Sequence, residues 1–502
     1  MATINTNDLR IKNAKNLIGS LNGLNNEAQS YVFVGRTQPW PDDNLPPSPQ
    51  NNNKEFYTTY DDIISLKRIN TNLQVNTNSD ALHMIPRVRW TSGVVYDIYK
   101  HNYSIVNRSY TNASNLYNAT FIIINQQNSV FVCLDNNNNS QSTVEPQTTG
   151  NDPFYTSDGY QWLRIYNLTS DDVISRSTEN FIPIVTYGTN ANVIIGVDGA
   201  VYTTVIDTPG NDFTVSPAGA VNQIPAYYCR VLGDGTGAVA KVIVTGGSVS
   251  KIEMVEFGSG YSYGTLNFKN GYAYESLQDL NLERNALNPI GDGTFRSTVV
   301  IGPPSGWGTD LPRELGGTRV GVFSNLNYPQ YEANKDASFR QIGILQDANV
   351  GTGNPSDVNA CYAVKLTDTN AGTLYAPGEV ITQQRLIDDP FGNSVTKQAK
   401  GIVVSWDTTS SVLRYVQNST TVDEDGQVYR FSGQRAVIGT TTNKSEFPDV
   451  AFTGASSLLD FVGGYATPTI VRYTGTMTYI SNLSPVVRSS TQSEKISIVI
   501  SF

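Results

Sequence analysis

The chain has 502 residues, of which 34 are Lys or Arg and 44 are Asp or Glu, so its formal net charge at pH 7 is −10. Because only 16% of the residues are charged and acids predominate, the composition excludes a protein that binds nucleic acid through a basic surface. The 42 Gly and 28 Tyr residues are typical of a β-rich protein with many short strands and tight turns.

The first predicted element is a helix that ends near residue 22. Apolar residues recur with helical spacing from Ala14 to Leu21, and Asp8 can cap the first turn. Asn22-Gly23 then supplies a stop signal.

A strand is predicted over residues 31–34, and it stops abruptly. Gly35 permits backbone angles that other residues avoid, and Pro39 has no N–H for a strand ladder, so pairing must end there. Arg36 and Trp40 are left at the strand exit. Such a pair can lock a loop by packing and charge-assisted hydrogen bonds, or anchor a partner. From these residues alone we expect a structural corner.

Helical and strand patterns alternate in the next part of the chain. A helix is predicted over residues 60–69, because Ile63, Ile64 and Leu66 form an apolar stripe behind an acidic start. Short strands are predicted over residues 94–99, 120–124, 130–134 and 162–166. The Asn- and Thr-rich loop over residues 136–150 should be exposed.

Two regions with recurring glycine turn signals are predicted to be inserted β-modules. The first contains predicted strands at residues 239–244, 249–257 and 265–268 with turns at 246–247 and 258–261, and the second contains strands at 380–382, 401–406 and 413–416. At the C-terminus Ile496, Ile498, Ile500 and Phe502 should share the buried face of a strand.

Side chains suited to catalysis or metal binding are few. His83 and His101 are the only histidines, which argues against a histidine triad or a zinc site. Cys133, Cys229 and Cys361 lack paired spacing and are predicted to be buried apolar residues. The glycine-rich residues 233–237 lack the Lys-Ser/Thr ending of a phosphate loop and precede a strand, so they predict a hairpin turn. We predict no catalytic, cofactor or metal site.

Two other functional classes remain open from the residues. Tyr261, Tyr263 and Trp406 could stack on sugars in a tail adhesin or glycan-binding protein, although such residues are more often packing pairs. A depolymerase could use a pair of neighbouring acidic residues, and the candidates are Asp171-Asp172, Asp388-Asp389 and Asp423-Glu424-Asp425.

The N-terminal residues lack the basic and apolar blocks of a signal peptide, and no apolar run approaches the roughly 20 residues that a membrane helix needs.

Several short motifs occur in a fixed order along the chain. They are Val32-Phe33-Val34-Gly35-Arg36-Thr37-Gln38-Pro39-Trp40, Ile85-Pro86-Arg87-Val88-Arg89-Trp90, Asp158-Gly159-Tyr160-Gln161-Trp162, Asn180-Phe181-Ile182-Pro183 and Phe339-Arg340-Gln341-Ile342, followed by residues 475–502. In this order they resemble the baseplate wedge protein called gene product eight in contractile-tailed phages of the T-even type. The similarity covers residues 6–185, 320–350 and 469–502.

The resemblance implies a mainly β fold, with a layered β-sandwich core, a few short helices and inserted small β-domains. The wedge core would comprise residues 1–185, 320–358 and 469–502, and the inserted modules would comprise residues 186–319 and 359–468. The residues that the resemblance marks as structural or interface positions are Arg36, Trp40, Arg87, Trp90, Asp158, Tyr160, Trp162, Phe339 and Arg340. Asp158 is one candidate acid partner for the arginines.

The resemblance also implies a role. Such a subunit is a homodimer that binds other baseplate wedge proteins, links the baseplate periphery to its inner ring, and takes part in the rearrangement at tail contraction. It is not an enzyme and has no cofactor. We expect this chain to be made in the host cytoplasm, to bind neither membrane nor nucleic acid, and to reside in the tail baseplate of the virion.

Overall fold

The structure is a computed structural model. It describes residues 6–22, 29–50, 53–69, 79–101, 103–185, 194, 196–213, 226–266, 268, 272–287, 291–326, 337–351, 356–369, 372–456, 459–488 and 494–502. The start of the first predicted module, at residue 186, lies outside the described residues.

Strands dominate the described residues, and helices are few. The helices are α1 (Asn7–Asn22), α2 (Asn53–Asp62), α3 (Ser170–Ser175), α4 (Leu277–Asn281) and α5 (Leu311–Glu314), with one 3-10 turn at Leu116–Asn118. The strands up to residue 301 are β1 (Ser30–Gly35), β2 (Ile63–Arg68), β3 (Ala81–Pro86), β4 (Ile122–Ile124), β5 (Ser129–Asp135), β6 (Phe154–Tyr155), β7 (Gln161–Asn167), β8 (Phe181–Pro183), β9 (Val201–Thr208), β10 (Ala226–Gly233), β11 (Thr236–Thr245), β12 (Ser248–Ser259), β13 (Gly264–Leu266) and β14 (Arg296–Ile301).

The later strands are β15 (Arg319–Leu326), β16 (Ala337–Gln346), β17 (Asp357–Asn359), β18 (Tyr362–Lys365), β19 (Val380–Asp388), β20 (Ser394–Asp407), β21 (Val412–Val416), β22 (Val437–Gly439), β23 (Ser445–Glu446), β24 (Gly454–Ser456), β25 (Leu459–Phe461), β26 (Tyr465–Ala466), β27 (Thr476–Arg488) and β28 (Glu494–Ser501). The sheets pair antiparallel, and the predicted mainly β class is confirmed.

A five-stranded sheet, the central sheet, has the order β17-β2-β1-β16-β27. Every residue of β1 is buried, because its two faces pack against different layers. Tyr31 and Phe33 join one apolar cluster with Tyr60 of α2, while Val32 and Val34 join the cluster on the opposite face. The alternation of side chains along a strand therefore places β1 in the middle of the molecule's layers.

A four-stranded sheet, the cover sheet, has the order β28-β15-β3-β8 and packs on the second face of the central sheet. Val320, Val322, Ile496 and Ile498 supply its apolar side, and α1 packs into the same cluster through Leu21. Burial of each such side chain stabilises the fold by about 1.5–3 kcal/mol. The predicted C-terminal strand is confirmed.

The helix predicted over residues 60–69 is wrong for most of its length. The helix α2 ends at Asp62, and Ile63 begins β2, which pairs with β1 on one side and with β17 on the other. The apolar stripe has a different origin, since a bulge at the start of β2 lets Ile63 and Leu66 face one cluster while Ile64 faces the other.

A smaller four-stranded sheet, β4-β5-β7-β6, contains the end of the motif at residues 158–162, and Arg89 of the motif at residues 85–90 bridges to its Ile124. The strands predicted over residues 120–124, 130–134 and 162–166 are found here with shifted ends. The strand predicted over residues 94–99 is absent: the backbone pairing of that segment consists of an isolated bridge at Val94 and single hydrogen bonds from the N–H groups of Asp97 and Tyr99. Asn136 and Ser142 are buried, so the loop over residues 136–150 is not wholly exposed as predicted.

The first glycine-rich region forms a sheet with the order β12-β11-β10-β13, which packs on the β9–β14 pair. The predicted turn at Gly246 and Gly247 is confirmed, and both residues have positive φ, at 61° and 81°. Residues 233–237 form the turn between β10 and β11, as expected for a hairpin.

The second glycine-rich region forms a seven-stranded sheet, the barrel sheet, with the order β23-β22-β19-β20-β21-β18-β26. The sheet closes on itself, because Leu366 just after β18 bridges to Pro448 just after β23. An apolar interior that includes Tyr375 and Trp406 fills it. On its other side, Ile402 packs into the cluster between the central and cover sheets.

Candidate functional site

The exit of β1 forms a tight corner against the end of α2. A Cβ at Gly35 would lie 2.8 Å from the Asp62 carbonyl oxygen, so only glycine fits this approach. Arg36 follows with φ at 59°, and its backbone N–H donates to the same carbonyl at 2.9 Å. The abrupt end of the strand thus turns the Arg36 side chain out of the ladder.

The Arg36 guanidinium lies between a carboxylate and an aromatic ring. Its Nη1 is 3.2 Å from Asp62 Oδ2, and its Cζ is 3.7 Å from the centre of the Trp40 ring. The Trp40 indole N–H donates to the Leu483 carbonyl of β27 at 3.0 Å. Trp40 is therefore fixed at its edge by the central sheet and on its face by the cation.

Asp62 is the buried acid of this corner, with 3% of its surface exposed. Burial raises the pKa of its carboxyl group, and this outweighs the hydrogen bond from Asn418 and the charge of Arg36, which act in the opposite direction. The Asn418 amide donates to Oδ1 at 2.6 Å. Asn418 follows β21, so this bond joins the corner to the barrel sheet.

A second arginine closes the same corner from β16. Arg340 makes a bidentate pair with Asp43, in which Nε–Oδ1 and Nη2–Oδ2 are both 2.8 Å. Its Nη1 donates to the Thr37 carbonyl at 2.7 Å. The hydrogen bonds from Arg340 hold the pKa of Asp43 below its usual value, and Asp43 also accepts the backbone N–H of Trp40 at 2.8 Å.

These contacts bring together three of the predicted residues, Arg36, Trp40 and Arg340. We call this group, with Asp43 and Asp62, the arginine corner. The members come from the loop after β1, the end of α2 and strand β16, which lie far apart in the sequence. Every arginine in it has an acidic partner, so the arrangement is one that fixes backbone positions.

Four other predicted residues form a separate group, the aspartate loop cluster, consisting of Trp90, Asp158, Tyr160 and Trp162. The Tyr160 and Trp162 rings are stacked at 5.4 Å between centres and 17° between planes. The Tyr160 hydroxyl donates to the Ser140 carbonyl at 2.5 Å.

Asp158 holds the loop that crosses this cluster. Its Oδ2 accepts backbone N–H groups of Thr143 at 2.7 Å and Val144 at 2.9 Å, and also the Ser142 hydroxyl. That hydroxyl in turn accepts the Trp90 indole N–H at 3.0 Å. Burial alone would raise the pKa of Asp158, but these and neighbouring hydrogen bonds lower it overall.

Asp158 is not the partner of any of the three arginines for which it was a candidate. Arg36 pairs with Asp62, Arg340 pairs with Asp43, and Arg87 donates to the Thr178 carbonyl at 3.0 Å. Burial lowers the pKa of Arg87. Phe339 belongs to neither group and is buried between the central and cover sheets.

The residues of the two alternative functions lie in other settings. Tyr261 is 4% exposed and Trp406 is 3% exposed, so neither presents the open ring face that the predicted sugar stacking requires, whereas Tyr263 is exposed. Of the acidic pairs, Asp172 completes the capping box of α3 with Thr169, and Asp389 accepts the backbone N–H groups of its own hairpin turn. Both of these carboxylates are used locally.

Some functional candidates have no signal in the sequence. Asp43 and Asp62 become partners of arginines only through long-range pairing. A further group, Asp368, Lys444 and Glu446, comes together at the closure of the barrel sheet.

All three cysteines are buried and free, as predicted.

No model of a known protein family matches the chain, and no curated protein matches it. None of the helices in the described ranges is long and apolar enough to cross a membrane. Within those ranges no three His, Cys, Asp or Glu side chains lie where they could hold a metal ion together.

Proposed function

We propose that the chain is a structural subunit of the baseplate wedge of a contractile phage tail. It forms a homodimer, binds other wedge proteins, links the baseplate periphery to its inner ring, and takes part in the rearrangement at contraction. It has no catalytic role, and it resides in the virion after synthesis in the host cytoplasm. The domain division into a wedge core and two inserted modules belongs to the same proposal.

One observation supports this proposal most directly. Arg36 and Trp40 come from the first motif of the resemblance and Arg340 from the last internal one, and all three meet at Asp43 and Asp62. Motifs that belonged to unrelated local structures would have no reason to converge. Convergence on a single loop fits residues that a scaffold needs in order to hold that loop in place.

The loop behind the arginine corner is suited to contact a partner. It is held at Asp43 by Arg340 and at Pro47, whose carbonyl accepts the Asn482 amide at 2.8 Å. Between these two anchors Leu45 is 77% exposed. An apolar side chain on a rigid loop binds with little loss of conformational entropy, so we assign this loop to a wedge contact.

Co-purification tests the proposal. The chain is mixed with the other wedge proteins of its own phage, and a defined complex is expected on size-exclusion chromatography with light scattering, which also reports the expected dimer of the chain alone. Failure of the unmodified chain to form any complex would refute the wedge role.

A matched pair of variants tests the loop. Leu45→Asp should weaken the complex at least tenfold, since it puts a charge into an apolar contact. Val462→Asp is the control, because Val462 is 76% exposed and lies in a different turn. If both variants weaken the complex equally, or if neither weakens it, the loop is excluded as the contact.

Sugar release from host polysaccharide by the purified chain would overturn the non-enzymatic role.

A further inference from the structure

A buried lysine lies where the barrel sheet closes. Lys444 comes directly before β23, and Asp368 follows the end of β18 by three residues. These two strands meet through the Leu366–Pro448 bridge, and the Thr367 N–H adds a bond of 3.0 Å to the Phe447 carbonyl. We call this closure, where the ends of β18 and β23 meet, the seam. The lysine and the aspartate therefore lie on opposite sides of the seam.

The distances at the seam are short. Lys444 Nζ lies 2.7 Å from Asp368 Oδ1 and 3.3 Å from Glu446 Oε1. Since Nζ contacts a carboxyl oxygen directly, the carboxyl carbon of Asp368 is within about 4 Å of the nitrogen. Reacting atoms in near-attack arrangements lie about 3–3.5 Å apart, so only a small approach is needed.

The site is also buried and flanked by aromatic rings. The side chains of Lys444 and Glu446 are fully buried, and that of Asp368 is 10% exposed. The rings of Trp406 and Tyr375 have their centres 5.4 Å and 5.8 Å from Nζ. Lysine is almost never fully buried unless it is paired, and charges in such a setting lose much solvation. A neutral product would remove that cost.

Glu446 is held in place for a role beside the pair. Its Oε2 accepts the Thr369 backbone N–H at 2.8 Å and the Thr369 hydroxyl at 3.0 Å. These bonds fix the carboxylate so that Oε1 faces Nζ. A carboxylate within reach of a proton that must move is the arrangement that general acid–base catalysis requires.

We propose that Lys444 and Asp368 form an intramolecular isopeptide bond, and that Glu446 transfers the proton that this reaction requires. One proton passes from the ammonium group of Lys444 to the Asp368 carboxylate, giving a neutral amine and a carboxylic acid. Nζ attacks the carboxyl carbon, and the C–N bond forms. Glu446 takes a second proton from the nitrogen and gives it to the hydroxyl group, which leaves as water while the C=O bond is restored.

The balance of this step needs no other reactant. Of the three protons on the lysine nitrogen, one stays in the amide and two leave in the water, and Glu446 ends as a carboxylate. The bond would join residues 76 positions apart across the seam. A cross-link over a loop of that size stabilises mainly by restricting the unfolded chain, and it would prevent the barrel sheet from opening at its closure.

Intact mass spectrometry of the purified full-length chain tests the proposal. After incubation under folding conditions and then denaturation, the mass should be lower than the sequence mass by one water. Asp-Gly sequences, such as Asp234-Gly235, can lose one water by cyclisation, so the loss must be located. Peptide mapping should yield one branched peptide joining Lys444 to Asp368. A mass equal to that of the sequence, or a loss located elsewhere, overturns the proposal.

Three variants test the roles of the residues. Lys444→Arg keeps the charge but cannot form the amide, so no water should be lost. Asp368→Asn should lose ammonia in place of water. Glu446→Gln should fold with the uncross-linked mass, and a cross-link at the native rate in this variant would refute the proton-transfer role.

The chain contains its own matched control for proximity. Lys397 Nζ lies 2.7 Å from Asp425 Oδ2, the same distance as in the buried pair, but both side chains are partly exposed. No cross-link is expected at Lys397, and one found there would show that distance alone produces the modification.

Discussion

Replacement of Arg36 by methionine should destabilise the central sheet, and the cost should depend on pH. Met keeps the apolar stem of the side chain but removes the guanidinium from Asp62 and from the Trp40 ring. The Arg36 Nε is buried and has no acceptor among the described residues, so its removal costs nothing. The main losses are the ion pair and the cation–π contact, because the remaining bond from Nη2 to the Pro39 carbonyl is long, at 3.4 Å, and exposed.

The magnitude follows from these two contacts. A partly desolvated cation–π contact contributes about 1 kcal/mol. Removing one partner of a buried ion pair costs about 3–5 kcal/mol, and the lower end applies because the Arg36 side chain is 18% exposed and Asp62 keeps its bond from Asn418. We therefore expect Arg36→Met to lower the free energy of unfolding by about 3–4 kcal/mol at neutral pH.

The pH dependence has a definite sign. Burial raises the pKa of Asp62 in the folded state, so the folded protein binds a proton there more tightly than the unfolded chain. The contribution of Asp62 to stability is therefore greatest in acid and is lost as the pH rises from its ordinary pKa through its folded pKa. Without Arg36 the ionised carboxylate of Asp62 is less favourable still. The variant should therefore lose most of its stability relative to the unmodified protein at neutral pH, and least in acid.

A double-mutant cycle with Asp62→Asn separates the contacts. The four proteins are compared by urea unfolding at pH 7 and at about pH 4, with local stability read from amide hydrogen exchange of β1. In the Asp62→Asn background Arg36→Met should cost only about 1 kcal/mol, since the cation–π contact alone is lost. Equal cost in both backgrounds, or no change with pH, would refute the assignment of the ion pair.

Three further predictions concern backbone packing and two carboxylates. Gly343→Ala should lower the midpoint of urea unfolding by an amount equivalent to about 2–3 kcal/mol, because its Cβ would lie 2.2 Å from the Tyr479 carbonyl oxygen; the control Gly19→Ala, with open space in a helix, should raise it by about 0.5–1 kcal/mol. Asp158→Ala should lower stability by about 2–4 kcal/mol and increase hydrogen exchange at residues 143–144, whose N–H groups it accepts; unchanged exchange would contradict this role. The hydrogen bonds from Arg340 lower the pKa of Asp43, so its contribution is present above the ordinary aspartate pKa and is lost as the pH falls through the lower folded value; an NMR titration at the ordinary pKa would contradict the pair.

Local patterns in the sequence were enough to predict two strands. Residues 31–34 are a continuous run of β-prone residues that ends at Gly35, and the C-terminal strand alternates its apolar residues with polar ones in its first half. The helix over residues 60–69 failed because the apolar residues Ile63, Ile64 and Leu66 fit two periods, and the choice between them is made by β1 and β17, which lie elsewhere in the chain.

The arginine corner was predictable only in part. Gly35 and Pro39 mark the end of a strand, and that signal placed Arg36 and Trp40 at an exit. Their acids could not be found in the same way, since the register between β1 and β2 is what brings Asp62 beside Arg36. A single acidic residue in a loop carries no mark of which arginine it will meet.

The two charged clusters differ in what their residue types permit. The guanidinium groups of Arg36 and Arg340 are not nucleophiles, so the arginine corner is a set of ion pairs, hydrogen bonds and a cation–π contact. Lysine carries an amine that can act as a nucleophile, and Lys444 lies beside the carboxyl groups of Asp368 and Glu446. The Lys397–Asp425 pair has the same residue types and distance but is partly exposed, and there we expect the ion pair to persist. The proposed cross-link between Lys444 and Asp368 therefore requires a lysine and a buried site together. Either property alone would not distinguish this pair from the other ion pairs of this chain.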